Sequence, residues 1–246
     1  MYTQEKSFKQ GGFRSMKQFL SIVCILLLLL CTCAHAEQPD PASFTLPGSI
    51  VRFGRFEQDN SPANGPEEIE WQVLDVLDGK SLLISVYALE TRPFNETYGE
   101  ITWEDCTLRA WLNGPFYADA FTEDEKKAIV LHHTENGPET YSSKYAATGG
   151  NDTDDYVFLL SYADAAGYFE SDRARQCSPT PYALARGAHN VRHGGKLCSL
   201  WWFRSPGNEQ YRVSCSYSGG ALNYTYASKK IATVRPVILV DSALVP

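Results

Sequence analysis

The sequence lacks most of the features that announce a chemistry. No Gly-x-Ser-x-Gly elbow, phosphate-cradling glycine loop or Cys-His nucleophile pattern occurs in its 246 residues, so the commonest hydrolase and nucleotide-dependent motifs are absent. Basic clusters are missing too. Lys and Arg never run longer than the pairs Lys126-Lys127 and Lys229-Lys230, and 22 basic residues stand against 29 acidic ones for a formal charge of −7. A domain that neutralises phosphates needs a basic face, so nucleic acid is not an expected partner and the charge serves solubility. No Cys-x-x-Cys pair exists, which argues against a four-cysteine zinc site. No Gly/Ser/Pro linker of any length divides the chain, so residues 49–246 read as a single globular domain.

What is present begins with a leader. Lys17 precedes an apolar run of roughly 14 residues, with five consecutive leucines at 26–30, and Ala34-His35-Ala36 follows. The length fits a signal peptide and falls short of the ~18 to 20 residues that span a bilayer. The expectation is a signal peptide over residues 1–36, cleaved between Ala36 and Glu37, and a secreted or extracytoplasmic bacterial protein. An uncleaved anchor is the competing reading, and Met16 is an alternative start. Lipid attachment at Cys31 or Cys33 wants a small residue before the cysteine, where Leu30 and Thr32 stand. Removing Lys6, Lys9, Arg14, Lys17 and Glu5 leaves 18 basic and 28 acidic residues, a formal charge of −10. Residues 37–48, with Pro39, Pro41 and Pro47, read as an extended tether. Cys106, Cys177, Cys198 and Cys215 remain. In an oxidising compartment they allow two disulfides in one of three connectivities, or they stay as buried thiols.

Local patterns indicate a mixed α+β fold, with mainly antiparallel sheets at both ends of the chain and short helices between them. Ile50 to Phe56 alternates as a strand. Ile69 to Leu77 and Ser81 to Tyr87 join across Asp78-Gly79, a strong hairpin signal. A helix is predicted from Thr102, stopping at Asn113-Gly114-Pro115. A second opens on the Thr122-x-x-Glu125 capping box, a third on Ser161 with Asp164, and a fourth on Thr180 before Pro181. Residues 134–155 read as a loop before a strand at Tyr156 to Leu160. Leu200 to Arg204, Tyr211 to Tyr217, Leu222 to Tyr226 and Val234 to Val240 are strand-like.

The candidate sites follow from these elements. Trp201, Trp202, Arg204, Tyr211, Tyr217, Tyr224 and Tyr226 fall within 26 residues. On a strand the two tryptophans point to opposite faces, so at most one faces the core if the sheet has one wet side. Trp201, Trp202, Arg204, Tyr211 and Tyr224 are therefore the candidate ligand contacts. The competing reading buries both rings and ties Arg204 to an acidic residue or loop carbonyls. Asn151, Asp152, Asp154 and Asp155 offer alternating oxygens that suit calcium, yet Tyr156 stands where an EF-hand needs glycine, and a solvated turn is the favoured reading. His189 and His193 have zinc-ligand spacing, but Gly187, Gly194 and Gly195 argue against a helix there. His132-His133 is poorly placed to chelate from one strand. Glu67-Glu68, Glu70 and Glu104-Asp105 could include a hydrolase pair, though nothing selects one. No catalytic residue and no cofactor is expected.

Thr107 to Asn113 (Thr-Leu-Arg-Ala-Trp-Leu-Asn), Val157 to Ser161 (Val-Phe-Leu-Leu-Ser), Trp201 to Gly207 (Trp-Trp-Phe-Arg-Ser-Pro-Gly) and the closing Val234-Arg235-Pro236 occur in that order. Together they resemble the bacterial family called domain of unknown function 6273, from about Ile50 to Val240. The resemblance implies a cell-surface or secreted setting and carries no established activity. More weakly, the tryptophan-rich strand and the last strand resemble the C-type lectin-like fold of bacterial and phage binding proteins and sulfatase-modifying enzymes. Gln38-Pro39-Asp40 matches a calcium-lectin tripeptide in letters only, since it lies in the tether and no Trp-Asn-Asp follows. Cys198 and Cys215 stand too far apart for the close pair of the sulfatase-modifying enzymes. The expected function is a non-catalytic module for a glycan or a cell-surface protein. The alternative is a secreted enzyme, either a carboxylate-based hydrolase or a lectin-fold oxidative enzyme.

Overall fold

A computed structural model describes Met1, residues 41–137 and residues 147–246. The leader, the Ala36-Glu37 cleavage site and the start of the tether lie outside the described residues, as does part of the 134–155 loop. The fold described is that of the compact unit Pro39–Pro246. Strands and short helices mix in the expected α+β manner, and most strand pairs are antiparallel.

The first sheet has the order β1-β2-β3-β14-β7, with β1 Ile50–Phe56, β2 Glu67–Leu77, β3 Lys80–Ser85, β7 Val157–Phe158 and β14 Val237–Asp241. The β2–β3 turn is Asp78-Gly79, with φ of 49° and 77°. Both residues are left-handed, as a two-residue hairpin with the natural strand twist requires. Gly54 also has a positive φ, 68°, at an irregularity in the β1–β2 pairing. Its amide donates to Glu125 Oε1 at 2.9 Å, and a Cβ there would meet the Phe121 ring at 2.5 Å. The capping box of Thr122 and Glu125 opens α4, Glu123–Ala128, so one carboxylate both caps that helix and fixes the bend of β1.

The second sheet has the order β12-β11-β10-β13-β4, with β4 Glu90–Thr91, β10 Trp201–Pro206, β11 Arg212–Ser216, β12 Leu222–Tyr226 and β13 Thr233–Val234. Two ribbons complete the β structure: β5 His132–Thr134 with β6 Thr153–Asp155, and β8 Asn190–His193 with β9 Lys196–Ser199. Side chains from both sheets and from the helices share one hydrophobic cluster, which includes Trp71, Leu83, Leu108, Phe121, Trp201 and Ile238. Burying each such side chain is worth roughly 1.5–3 kcal/mol.

Several expectations change on contact with the fold. Residues Pro41–Phe44 form a helical turn, α1, and Phe44 is fully buried, so the tether is anchored to the core through this ring. Helix α2, Thr107–Trp111, is capped by the sulfur of Cys106, which accepts from Arg109 N at 3.3 Å, and not by Thr102. Asn113-Gly114-Pro115 does not end it. A π-helical turn, Leu112–Phe116, carries Pro115 and runs on into α3, Tyr117–Ala120. The widened turn accommodates a residue with no N–H, and Asn113 anchors it. Its Oδ1 accepts from Tyr156 N (2.8 Å) and Val157 N (3.1 Å), while its Nδ2 donates to Val157 O (2.9 Å) and Asp155 Oδ1 (3.1 Å). Further on, α5 (Tyr162–Tyr168) starts on the Ser161 and Asp164 capping box, and α7 (Pro181–Ala185) starts on Thr180, both as predicted. A helix with no counterpart in the sequence reading, α6 (Asp172–Arg175), is capped by Ser171.

Candidate functional site

The outer strands of the second sheet present a cluster of partly accessible aromatic rings. β11 and β12 pair with Arg212 opposite Tyr226 and Ser214 opposite Tyr224, and β12 is the outermost strand of its sheet. Alternation along β12 puts Tyr224 and Tyr226 on one face. Tyr211 joins them from just before β11, and Tyr98 from the loop that follows β4. The Tyr211 and Tyr226 rings stack at 5.9 Å and 15°, and Tyr98 lies 5.6 Å from Tyr211 and 6.1 Å from Tyr226. The Arg212 guanidinium sits 4.9 Å from the Tyr226 ring, 5.5 Å from Tyr224 and 5.8 Å from Tyr211. Its charge is shared with Glu209, 3.1 Å away. Hydrogen bonding to the Glu209 carboxylate holds the Tyr211 phenol above its ordinary pKa. Tyr98 is 66% exposed and Tyr226 42%. The result is a shallow tyrosine platform around one arginine, with ring surface for stacking and hydroxyls for hydrogen bonds.

Of the five residues predicted to contact ligand, Tyr211 and Tyr224 lie in this platform and the other three do not. Trp201 and Trp202 are both 0% exposed, which corrects the expectation that one of them is wet. The sheet is covered on both sides at β10. Trp201 Nε1 donates to Arg175 O (3.0 Å), and Trp202 Nε1 donates to Arg92 O (2.9 Å). Arg204 is consumed internally, donating to Leu159 O and to Asp164 Oδ2, each at 2.8 Å, and to Glu135 O at 3.3 Å. Burial alone would raise the Asp164 carboxyl, but Arg204 and the Ser161 cap outweigh it and hold the group below its usual range. Of the other platform residues, the sequence reading places Tyr226 in the aromatic cluster but not among the contacts, and it misses Tyr98 and Arg212. Tyr98 lies over a hundred residues before the strands it joins, and only Arg212's neighbourhood among tyrosines could have pointed to it.

The calcium candidates do not converge. On β6, Asp154 faces solvent and Asp155 faces the core. Asp155 accepts from Arg109 Nε (2.6 Å), Thr153 Oγ1 (2.7 Å) and Trp103 Nε1 (2.9 Å). Asp154 pairs with His133 Nδ1 at 3.0 Å, and that hydrogen bond raises the imidazole pKa. Asp152 accepts from Asn136 N (2.7 Å), and the Asn151 side chain donates to Glu104 (3.0 Å). This is a hydrogen-bonded turn beside a buried ion pair. Elsewhere Glu57, Asp59 and Glu67 bring carboxylate oxygens within 4.8 Å of one another, so they could hold a cation. Glu67 Oε2 and Asp59 Oδ1 already accept backbone amides of the same loop, from Gln58 (2.7 Å) and Ser61 (2.7 Å).

Cys106, Cys177, Cys198 and Cys215 are buried free thiols, with no disulfide among the described residues. Burial pushes Cys106 up to about 12 and raises the other three, which keeps them protonated and poor nucleophiles. His189 and His193 lie off any helix, with His193 ending β8. No described helix is long and apolar enough to cross a membrane.

The family model described as Domain of unknown function (DUF6273) matches residues 78–242. That span begins at the β2–β3 turn and includes the whole tyrosine platform. No curated protein and no solved structure matches the chain.

Proposed function

The chain belongs to the DUF6273 family, whose description assigns no activity, and on that premise we propose that it is a non-catalytic binding module for a glycan. The observation that carries this reading is the exposed platform of Tyr98, Tyr211, Tyr224 and Tyr226 around Arg212. Tyrosine rings stack against the apolar faces of sugars at little entropic cost, and their hydroxyls with the guanidinium answer sugar hydroxyls. The shallow shape, the inert thiols and the lack of a facing carboxylate pair in the platform among the described residues favour binding over turnover. The basic, apolar and small-residue succession of residues 17–36 supports a setting outside the cytoplasm, with the module released or held at the cell surface. The C-type lectin-like resemblance belongs to the same proposal.

A glycan array probed with the protein, with and without chelator, tests it. The expected result is a set of bound glycans for which Tyr98→Ala, Tyr226→Ala and Arg212→Ala each weaken affinity about tenfold, the loss of one good contact. Chelator sensitivity would add calcium to the reading. Full retention of every bound glycan by all three variants would sink it, and capture of a surface protein by the same residues would replace the glycan with a protein partner.

A further inference from the structure

A second recess lies at the other end of the β11–β12 hairpin, against the Ser218-Gly219-Gly220 turn. It has a volume of about 390 Å³ and is lined by Arg173, Gln176, His193, Gly194 and Lys196. No carboxylate lines it among the described residues, in a chain whose formal charge is −7. Three elements build it. The β8–β9 ribbon turns through Gly194 and Gly195, both left-handed at φ 57° and 86°, which sets His193 directly opposite Lys196. Helix α6 brings Arg173. Gly220 lets that helix approach, because a Cβ there would stand 1.6 Å from Asp172 O.

The internal bonds of the recess hold its walls and leave its charges open. Arg175 donates to Gly220 O at 2.8 Å and also binds Asp172, so the nearest carboxylate on α6 is already taken. His193 Nε2 is 3.2 Å from Ser218 Oγ, and Gln176 Nε2 donates to Gly219 O at 3.2 Å. Lys196 reaches only a carbonyl, Gln176 O at 3.3 Å, and neither Lys196 nor Arg173 makes an ion pair among the described residues. Cationic side chains gathered without a counter-charge repel one another, and an anion between them removes that cost and gains charge-assisted hydrogen bonds.

We propose that this recess binds an oxyanion, the carboxylate, phosphate or sulfate group of a small ligand, with Arg173 and Lys196 as its charge partners and His193 as a hydrogen-bonding wall. The site is independent of the tyrosine platform, so either can fail alone.

The test titrates the protein with inorganic phosphate, inorganic sulfate and glucuronate, each against sodium chloride at matched ionic strength, by calorimetry and by amide chemical shifts. Saturable binding in the millimolar range or tighter is expected, with the largest shifts at the Gly194 and Gly219 amides. Arg173→Gln and Lys196→Gln should each weaken it about tenfold, the loss of one charge-assisted bond. Both lysine and arginine are exposed, so the variants should melt no lower than the parent without anion; if one does not fold, the amide shifts of the parent still locate the site. A response to glucuronate alone, or to the tetrahedral ions alone, supports the site and names the group it takes. No saturable response to any of the three, shifts centred away from Gly194 and Gly219, or binding that persists in the double variant would overturn it.

Discussion

Two arginines on adjacent strands of one sheet, Arg204 on β10 and Arg212 on β11, have opposite fates. Arg204 stands beside Trp201 and Trp202 in a segment closed on both faces, with its guanidinium bound to Asp164 and to loop carbonyls. Arg212 stands one strand in from the edge, opposite Tyr226, held by rings and one partly exposed glutamate. Sequence composition gives the two neighbourhoods much the same look. Strand order contributes, because β10 lies in the middle of its sheet, whereas Arg212 on β11 pairs with Tyr226 of β12, the outermost strand. The inner arginine is tied to the core framework, and the outer one lies among partly accessible rings with its charge shared by Glu209.

The strongest challenge to this contrast is Trp202→Ala. It removes a fully buried ring and the partner of Arg92 O, and should cost about 3–5 kcal/mol in urea unfolding. A cost under 1 kcal/mol would mean that β10 is not sealed. Arg204→Ala comes next, at about 2 kcal/mol, between the values for exposed and fully buried pairs. It carries a pH signature. The Asp164 carboxyl is lowered in the folded state, so its pairing stabilises fully above the ordinary carboxylate range near ~4 and is lost as pH falls through the lowered value. Unfolding curves between neutral and acid pH should therefore fall less steeply for Arg204→Ala than for the parent; parallel curves would break the assignment. Smallest is Tyr98→Ala, expected within about 1 kcal/mol of the parent in stability. A larger loss would make the platform a structural cluster in its own right.

The parts of the fold that were legible in sequence are those set by neighbours in the chain. Asp78-Gly79 needs left-handed backbone at two successive positions, and the Thr122, Ser161 and Thr180 caps act within three residues. Where a distant partner decides, local signals mislead. Asn113-Gly114-Pro115 reads as a stop because its composition is that of a turn, yet Asn113 is bonded to residues over forty positions away and the helical path continues. The burial of Trp201 and Trp202 stands in sequence as one of two readings, since alternation predicts two faces but not whether something covers both. The residues that carry the family resemblance belong to this long-range framework. Arg109 and Asn113 bind Asp155, Arg204 binds Asp164, and Arg235, buried between Trp201 and Phe169, donates to Ser85 O at 2.7 Å. These motifs specify a fold. The platform and the basic recess lie inside the matched span but draw on residues outside these four segments.

The position of β14 governs when the molecule can form. Val237–Asp241 runs between β3 and β7, pairing with Lys80 to Ile84 on one side and with Val157 and Phe158 on the other. Until residue 241 has been synthesised, the hairpin of β2 and β3 has an open flank and β7 has no neighbour. Joining β3 to β7 therefore waits on a strand more than 150 residues after β3, a slow closure over long sequence separation, whereas β1, β2 and β3 pair among themselves. A chain halted before Val237 would leave two apolar edges bare and prone to pairing with another copy.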